Sequence, residues 1–215
     1  LGGMSWESTV TYYKIINETI KNKLGGLHSA KCILYSVDFE EIEACQHAGE
    51  WEKSGEILSK AAKGLEMAGA DFIIICTNTM HIVSIPVLHI AELTAQRLIE
   101  CNIKKVGLLG TKYTMEKDFY KYKLKEAGID VIVPDIEGRE CVNSIIYNEL
   151  CLGRIEEDSK LKMLKIIEGL KKSGAQGVIL GCTEIGLLVK QEDTDIPLFD
   201  TTMIHAERAA LYSIE

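Results

Sequence analysis

The chain has 215 residues, 47% hydrophobic and 26% charged, enough for one large domain or two small ones. A formal net charge of −8 argues against non-specific nucleic-acid binding as the main task. No run of 18 apolar residues stands in it, so no membrane span is expected, and no segment has the pattern of a signal peptide.

In chain order, helical patterning covers Ser8–Lys23, Lys53–Ala68, Ile90–Cys101, Thr114–Ala127, Glu140–Leu152 and Leu161–Lys172. Between these lie short apolar runs of strand length: Cys32–Val37, Phe72–Cys76, Val106–Leu109, Val131–Val133 and Gly177–Leu180. Several are dominated by Ile, Val and Phe, as in strands buried on both faces. Ser8 and Thr114 read as N-terminal caps or early-turn residues, and Gly69, Gly128 and Gly174 as helix-terminating glycines. Strands and helices in alternation predict an α/β fold with a mostly parallel sheet. Only Thr77–Ser84 separates the strand ending at Cys76 from a further apolar run at Ile85–Ile90. A parallel crossover ordinarily needs a dozen residues or more. A missing segment near Met80–Ser84, and a strand preceding Leu1, are therefore expected.

The two halves repeat weakly. The first runs from Leu1-Gly2-Gly3 through Gly69-Ala70 to Cys76-Thr77, and the second from Leu109-Gly110-Thr111 through Gly174-Ala175 to Cys182-Thr183. The Gly-Ala pairs stand 105 positions apart and the cysteines 106, so one residue slips inside the second strand or just after it. Ligands of open parallel sheets bind at the carboxyl ends of the strands, where both Cys-Thr pairs fall.

Seven cysteines without a CxxC pair or zinc spacing suggest a reduced, cytoplasmic protein without disulfides or a metal site. Cys32, Cys45, Cys101, Cys141 and Cys151 read as packed core thiols. Cys76 and Cys182 differ, because each closes an apolar strand and precedes hydroxyl, amide or acidic residues, Thr77-Asn78-Thr79 and Thr183-Glu184. A thiol so placed can be acidified, and would then oxidise readily. Moving a hydrogen across a carbon centre needs a base on one face and an acid on the other, and thiols suit both roles. Neither GxGxxG nor GxxxxGK[ST] occurs, and no pyridoxal phosphate site is evident; the short Gly turns read as strand-to-helix connections.

At these residues the chain resembles the aspartate/glutamate racemase family. The resemblance runs through Gly2-Gly3-Met4-Ser5-Trp6-Glu7-Ser8-Thr9, Tyr12-Tyr13 with Ile16-Asn17, Ser36-Val37-Asp38-Phe39, and Cys76-Thr77-Asn78-Thr79-Met80-His81. It continues in Leu109-Gly110-Thr111 with Tyr113-Thr114-Met115, Gly181-Cys182-Thr183-Glu184-Ile185, Phe199-Asp200-Thr201 and Ile204-His205-Ala206. It implies two similar Rossmann-like domains with parallel sheets related by a pseudo-twofold, residues 1–90 plus 199–215 and residues 91–198, with the active site between them. It further implies racemisation of aspartate or glutamate without a cofactor by Cys76 and Cys182, and a possible homodimer. Thr77, Asn78, Thr79 and Thr183 match family positions that hold the α-carboxylate and α-amino group, and Met4, Gln46 and Thr111 match pocket-lining ones. Lys112, Arg154, Lys160 and His205 are candidates for the side-chain carboxylate; Trp6 and Trp51 read as packing groups, and His28, His47 and His89 as structural. The competing readings are a dicarboxylate cis/trans isomerase or malonate decarboxylase on the same fold, and a non-catalytic module binding an anionic metabolite.

Overall fold

A computed structural model describes residues 1–77 and 87–215. The chain forms two compact units, residues 1–90 with 205–215, and residues 91–204.

In the second unit four parallel strands stand in the order β4-β3-β5-β6, with β3 Lys105–Leu109, β4 Asp130–Ile132, β5 Val178–Leu180 and β6 Leu198–Asp200. Val106, Leu108, Leu109, Val178, Ile179 and Leu180 are all buried, the two-sided burial that continuous apolar strands require. Helix α7 (Ile136–Asn148) and helix α8 (Glu157–Lys172) bring Val142, Ile145, Ile146, Met163, Ile167 and Leu170 onto β3 and β5. The i, i+4 spacing of Val142 and Ile146, and of Met163 and Ile167, is what puts them on one helix face. The expected helix 114–127 is two, α5 (Lys112–Glu116) and α6 (Asp118–Glu126), because Lys117 adopts an extended conformation between them. The 136–148 helix begins earlier than its apolar pattern, at the cap Asp135, whose carboxylate accepts the Gly138 N–H at 2.8 Å.

The first unit repeats this strand order in abbreviated form. β1 (Ile73–Ile74) pairs in parallel with β2 (Val87–Leu88). On its other side the Leu1 nitrogen donates to Ile74 O and Cys76 N–H donates to Leu1 O, both at 2.9 Å. Gly2 in turn bridges Ser36 in parallel. The run Cys32–Val37 contributes that single bridge rather than a strand; Ile33, Leu34 and Tyr35 are exposed, so it is an edge and not a buried strand. Helices α1 (Trp6–Leu24), α2 (Phe39–Ala48) and α3 (Trp51–Met67) complete the unit, with Ile42, Leu58, Ala61, Ala62 and Leu65 packed on Ile73 and Ile75. Helix α4 (Ile90–Glu100) follows β2; α9 (Ile185–Leu188) and α10 (Thr201–Tyr212) follow β5 and β6. The boundary between the units falls within α10, and residues 199–204, grouped with the first half on sequence, belong to the second because Phe199 and Asp200 pair with Ile179 and Leu180. The caps also move: Ser5 and Thr111 cap α1 and α5 by accepting the N–H of Ser8 and Thr114, so the predicted caps lie one turn inside. The suspected gap near Met80–Ser84 lies outside the described residues.

Gly69, Gly128 and Gly174 follow α3, α6 and α8 with φ of +94°, +76° and +91°. Gly174→Ala should cost about 1–3 kcal/mol by forcing an L-residue into this region, whereas Gly169→Ala, inside α8 with open space around its Cα, should stabilise by up to ~1 kcal/mol. Urea unfolding of the two variants checks the opposite signs.

Candidate active site

In the second unit the site residues gather at the carboxyl ends of β3, β5 and β6. Gly181 N–H donates to Leu109 O at 2.6 Å, which sets Gly110-Thr111 beside the segment after β5. Thr201 Oγ1 donates to Leu180 O at 2.9 Å, and Thr202 Oγ1 to Thr183 O at 3.4 Å, so the start of α10 buttresses the same turn. Cys182 is half-buried there and its Sγ donates to Glu184 Oε2 at 2.8 Å. The Thr183 hydroxyl donates to that same oxygen at 2.9 Å. Glu184 is 2% exposed, so this is a buried carboxylate aimed at a thiol. Burial, and then the negative charge of Glu184, push the Cys182 thiol well above its ordinary value. Asp200 is likewise raised by burial; its carboxylate accepts the N–H of Thr202 at 2.8 Å.

In the first unit Cys76 is 3% exposed and packs with Tyr12, Ile15 and Ala206. Burial pushes its thiol up to about 11. Both thiols therefore rest protonated in the free protein, the reverse of the acidification expected from their strand-end positions. Desolvation disfavours the thiolate, and Glu184 adds a like charge beside Cys182.

The other expected site residues divide. Thr77 is half-buried directly after Cys76, and Thr183 is buried on Glu184. The Thr111 hydroxyl is occupied as the α5 cap and lies 3.2 Å from that of Thr114. Gln46 is buried on α2; Met4 is buried in the core with Ile42 and Leu58. Asn78 and Thr79 lie outside the described residues. Of the cation candidates, Lys112 pairs with Glu140, Lys160 with Asp193 at 2.7 Å, and Arg154 is exposed. His205 is fully buried between partners: Tyr12 Oη donates to Nδ1 at 2.8 Å, which leaves Nε2–H to donate to Leu88 O at 2.8 Å. It is a structural group, held neutral by burial at about 4. Trp6 is 64% exposed rather than packed, and Cys32 and Cys101 are exposed rather than buried. Glu184 was legible only as the neighbour of the Cys-Thr pair, since nothing in spacing marks which acidic side chain folds back onto a thiol.

Among the described residues no cluster of His, Cys, Asp or Glu is arranged to hold a metal, and no helix is long and apolar enough to cross a membrane.

Residues 1–209 match the Asp/Glu/Hydantoin racemase family, and the chain belongs to it. A Yersinia pestis protein provisionally designated an Asp/Glu racemase superposes with a TM-score of 0.90 at 53% identity, over 100% of this chain and 97% of that one. An aspartate racemase homologue from Pyrococcus horikoshii OT3 superposes with a TM-score of 0.84 at 36% identity, over 100% and 97%. The broad specificity amino-acid racemase RacX of Bacillus subtilis is 29% identical over 159 residues, 70% of this chain and 68% of that protein. Family membership supports an isomerase that racemises amino acids.

Two predictions follow from the buried groups. Glu184→Gln removes the like charge beside Cys182, so the thiol should ionise at lower pH and its alkylation by iodoacetamide at pH 8 should accelerate; peptide mass spectrometry distinguishes it from the exposed Cys32 and Cys101. His205 has a folded value, about 4, below its unfolded 6.5. The unfolded state therefore binds the proton first, so stability is full above about pH 6.5 and falls between 6.5 and 4, by ~3 kcal/mol in total. Denaturant midpoints across that window should lose this slope in His205→Gln.

Proposed function

We propose that the protein inverts the α-carbon of an acidic amino acid, aspartate or glutamate, without pyridoxal phosphate, by a two-base mechanism. One proton-transfer group is Cys182, and the other comes from the carboxyl end of β1. The observation that carries this reading is the Cys182–Glu184 hydrogen bond at the carboxyl end of a parallel strand. The ordinary pKa of a thiol lies close enough to working pH for it to serve as base and acid, and the carboxylate gives its proton a defined acceptor when the thiolate forms beside the substrate's α-ammonium. That cation offsets the burial and charge that hold the free thiol protonated. Thr183, on the same Glu184 oxygen, fixes the carboxylate's orientation. Asn78, Thr79 and Thr183 are the groups we assign to the α-carboxylate and α-amino group, and Gln46 and Thr111 those we assign to the rest of the substrate. The names of the Pyrococcus and Bacillus relatives agree with the reaction, the former with aspartate and the latter with a wider range of amino acids.

The test is inversion of L-aspartate, D-aspartate, L-glutamate and D-glutamate, followed by chiral chromatography after hydroxylamine treatment to strip any pyridoxal phosphate. At least one enantiomeric pair should equilibrate, and Cys182→Ala should slow it by about 10²–10⁴-fold. Inversion of none of the four would sink the reading in favour of dicarboxylate isomerisation or simple metabolite binding.

A further inference from the structure

The two Cys-Thr pairs look equivalent in sequence, but the sheets are out of phase with them by one residue. Three features show this independently. The glycines that end the preceding helices with positive φ, Gly69 and Gly174, stand 105 positions apart. On the inner side of the strands, Leu1 O accepts the N–H of Cys76 and Leu109 O accepts that of Gly181, again 105 apart. On the outer side, Ile73 pairs with Val87, three residues before α4 begins at Ile90. Val178 correspondingly pairs with Leu198, three residues before α10 begins at Thr201. Ile73 and Val178 too are 105 apart. All three place Cys76 on Gly181 and Thr77 on Cys182.

Burial follows the register and not the residue names. Cys76 and Gly181 are buried, while Thr77 and Cys182 are half-buried. The Cys76 side chain enters the cluster of Tyr12, Ile15 and Ala206. At Gly181 a Cβ would stand 2.7 Å from Leu109 O, so the second unit leaves that position bare and carries its thiol one residue later.

We infer that Thr77, rather than Cys76, is the proton-transfer group that acts opposite Cys182. The inference rests on the racemase reading above. The Cys182 thiolate takes the α-hydrogen as a proton, and the electron pair of the broken C–H bond passes into the α-carboxylate. The new C–H bond forms on the other face with the proton of the Thr77 hydroxyl; the resulting alkoxide recovers a proton from water, and the hydroxide so formed takes up the proton that Cys182 gained, which restores the starting thiolate. No electron is gained or lost overall. An aliphatic hydroxyl is a far weaker acid than a thiol, so the two faces are chemically unequal. For the enantiomer presenting its α-hydrogen to Cys182, return of a solvent-derived deuteron from the thiol competes with delivery from Thr77. That enantiomer exchanges its α-hydrogen in deuterated water faster than it inverts, whereas the other acquires deuterium only as it inverts.

The test compares Thr77→Val, Thr77→Ser, Cys76→Ala and Cys76→Ser, each confirmed folded by circular dichroism, on a substrate that the wild type inverts. Thr77→Val should lose inversion by at least ~100-fold yet keep deuterium exchange with one enantiomer. Thr77→Ser and at least one folded Cys76 variant should invert within about tenfold of wild type. Survival of inversion in Thr77→Val, or loss in both folded Cys76 variants to the level of Cys182→Ala, overturns the assignment. A wild-type protein that inverts no acidic amino acid instead overturns the racemase reading itself.

Discussion

The hydrogen bonds that the first strand of each unit makes with the last residues of its neighbour, Leu1 with Cys76 and Leu109 with Gly181, set where the chemistry stands. In a parallel sheet every strand ends on the same edge, and the next residue leaves the ladder. Whichever side chain occupies that position is at the rim of the sheet and no longer in its core. A shift of one residue past the strand end separates a buried position, Cys76 or Gly181, from a half-buried one, Thr77 or Cys182. The placement of Cys182, Thr77 and Cys76 is a consequence of that register, and so is the difference between a half-buried thiol and a buried one.

Much of the architecture was legible in the sequence. Val106–Leu109 and Gly177–Leu180 are continuous apolar runs, and both are buried strands of the second unit. The glycines after α3, α6 and α8 marked helix ends because positive φ is costly for other residues. Cys182-Thr183-Glu184 stood out as a strand-end thiol followed by polar groups, although the fold of Glu184 onto the sulfur did not. Three things were hidden for physical reasons. Cys32–Val37 has strand composition, but composition does not say whether a partner covers the run, and here it is an exposed edge. Helix α2 begins at Asp38-Phe39 with little apolar periodicity, since only Ile42, Cys45 and Gln46 of its ten residues are buried. The slip between the repeats appears in sequence as 105 against 106, without saying on which side of the strand end it falls; pairing with Leu1 and Leu109 places it after the strand.

The electrostatics follow the same geometry. Strand ends and helix N-termini often acidify a thiol through nearby N–H donors. Here burial and the Glu184 carboxylate act in the opposite sense on Cys182, and burial alone dominates at Cys76. In the proposed mechanism a thiol held protonated until the substrate's α-ammonium group arrives is less prone to oxidation in the free protein, and its reactivity becomes conditional on binding. Family membership and likeness to racemases support racemisation of an amino acid.

The most direct measurement is an experimental structure with bound L-aspartate or D-glutamate. The account predicts the ligand's α-carbon between Cys182 Sγ on one face and Thr77 Oγ1 on the other, each within about 3–3.5 Å, with Cys76 still packed among Tyr12, Ile15 and Ala206. A ligand whose α-carbon meets Cys76 Sγ instead, or which binds away from the carboxyl ends of β1 and β5, would contradict it.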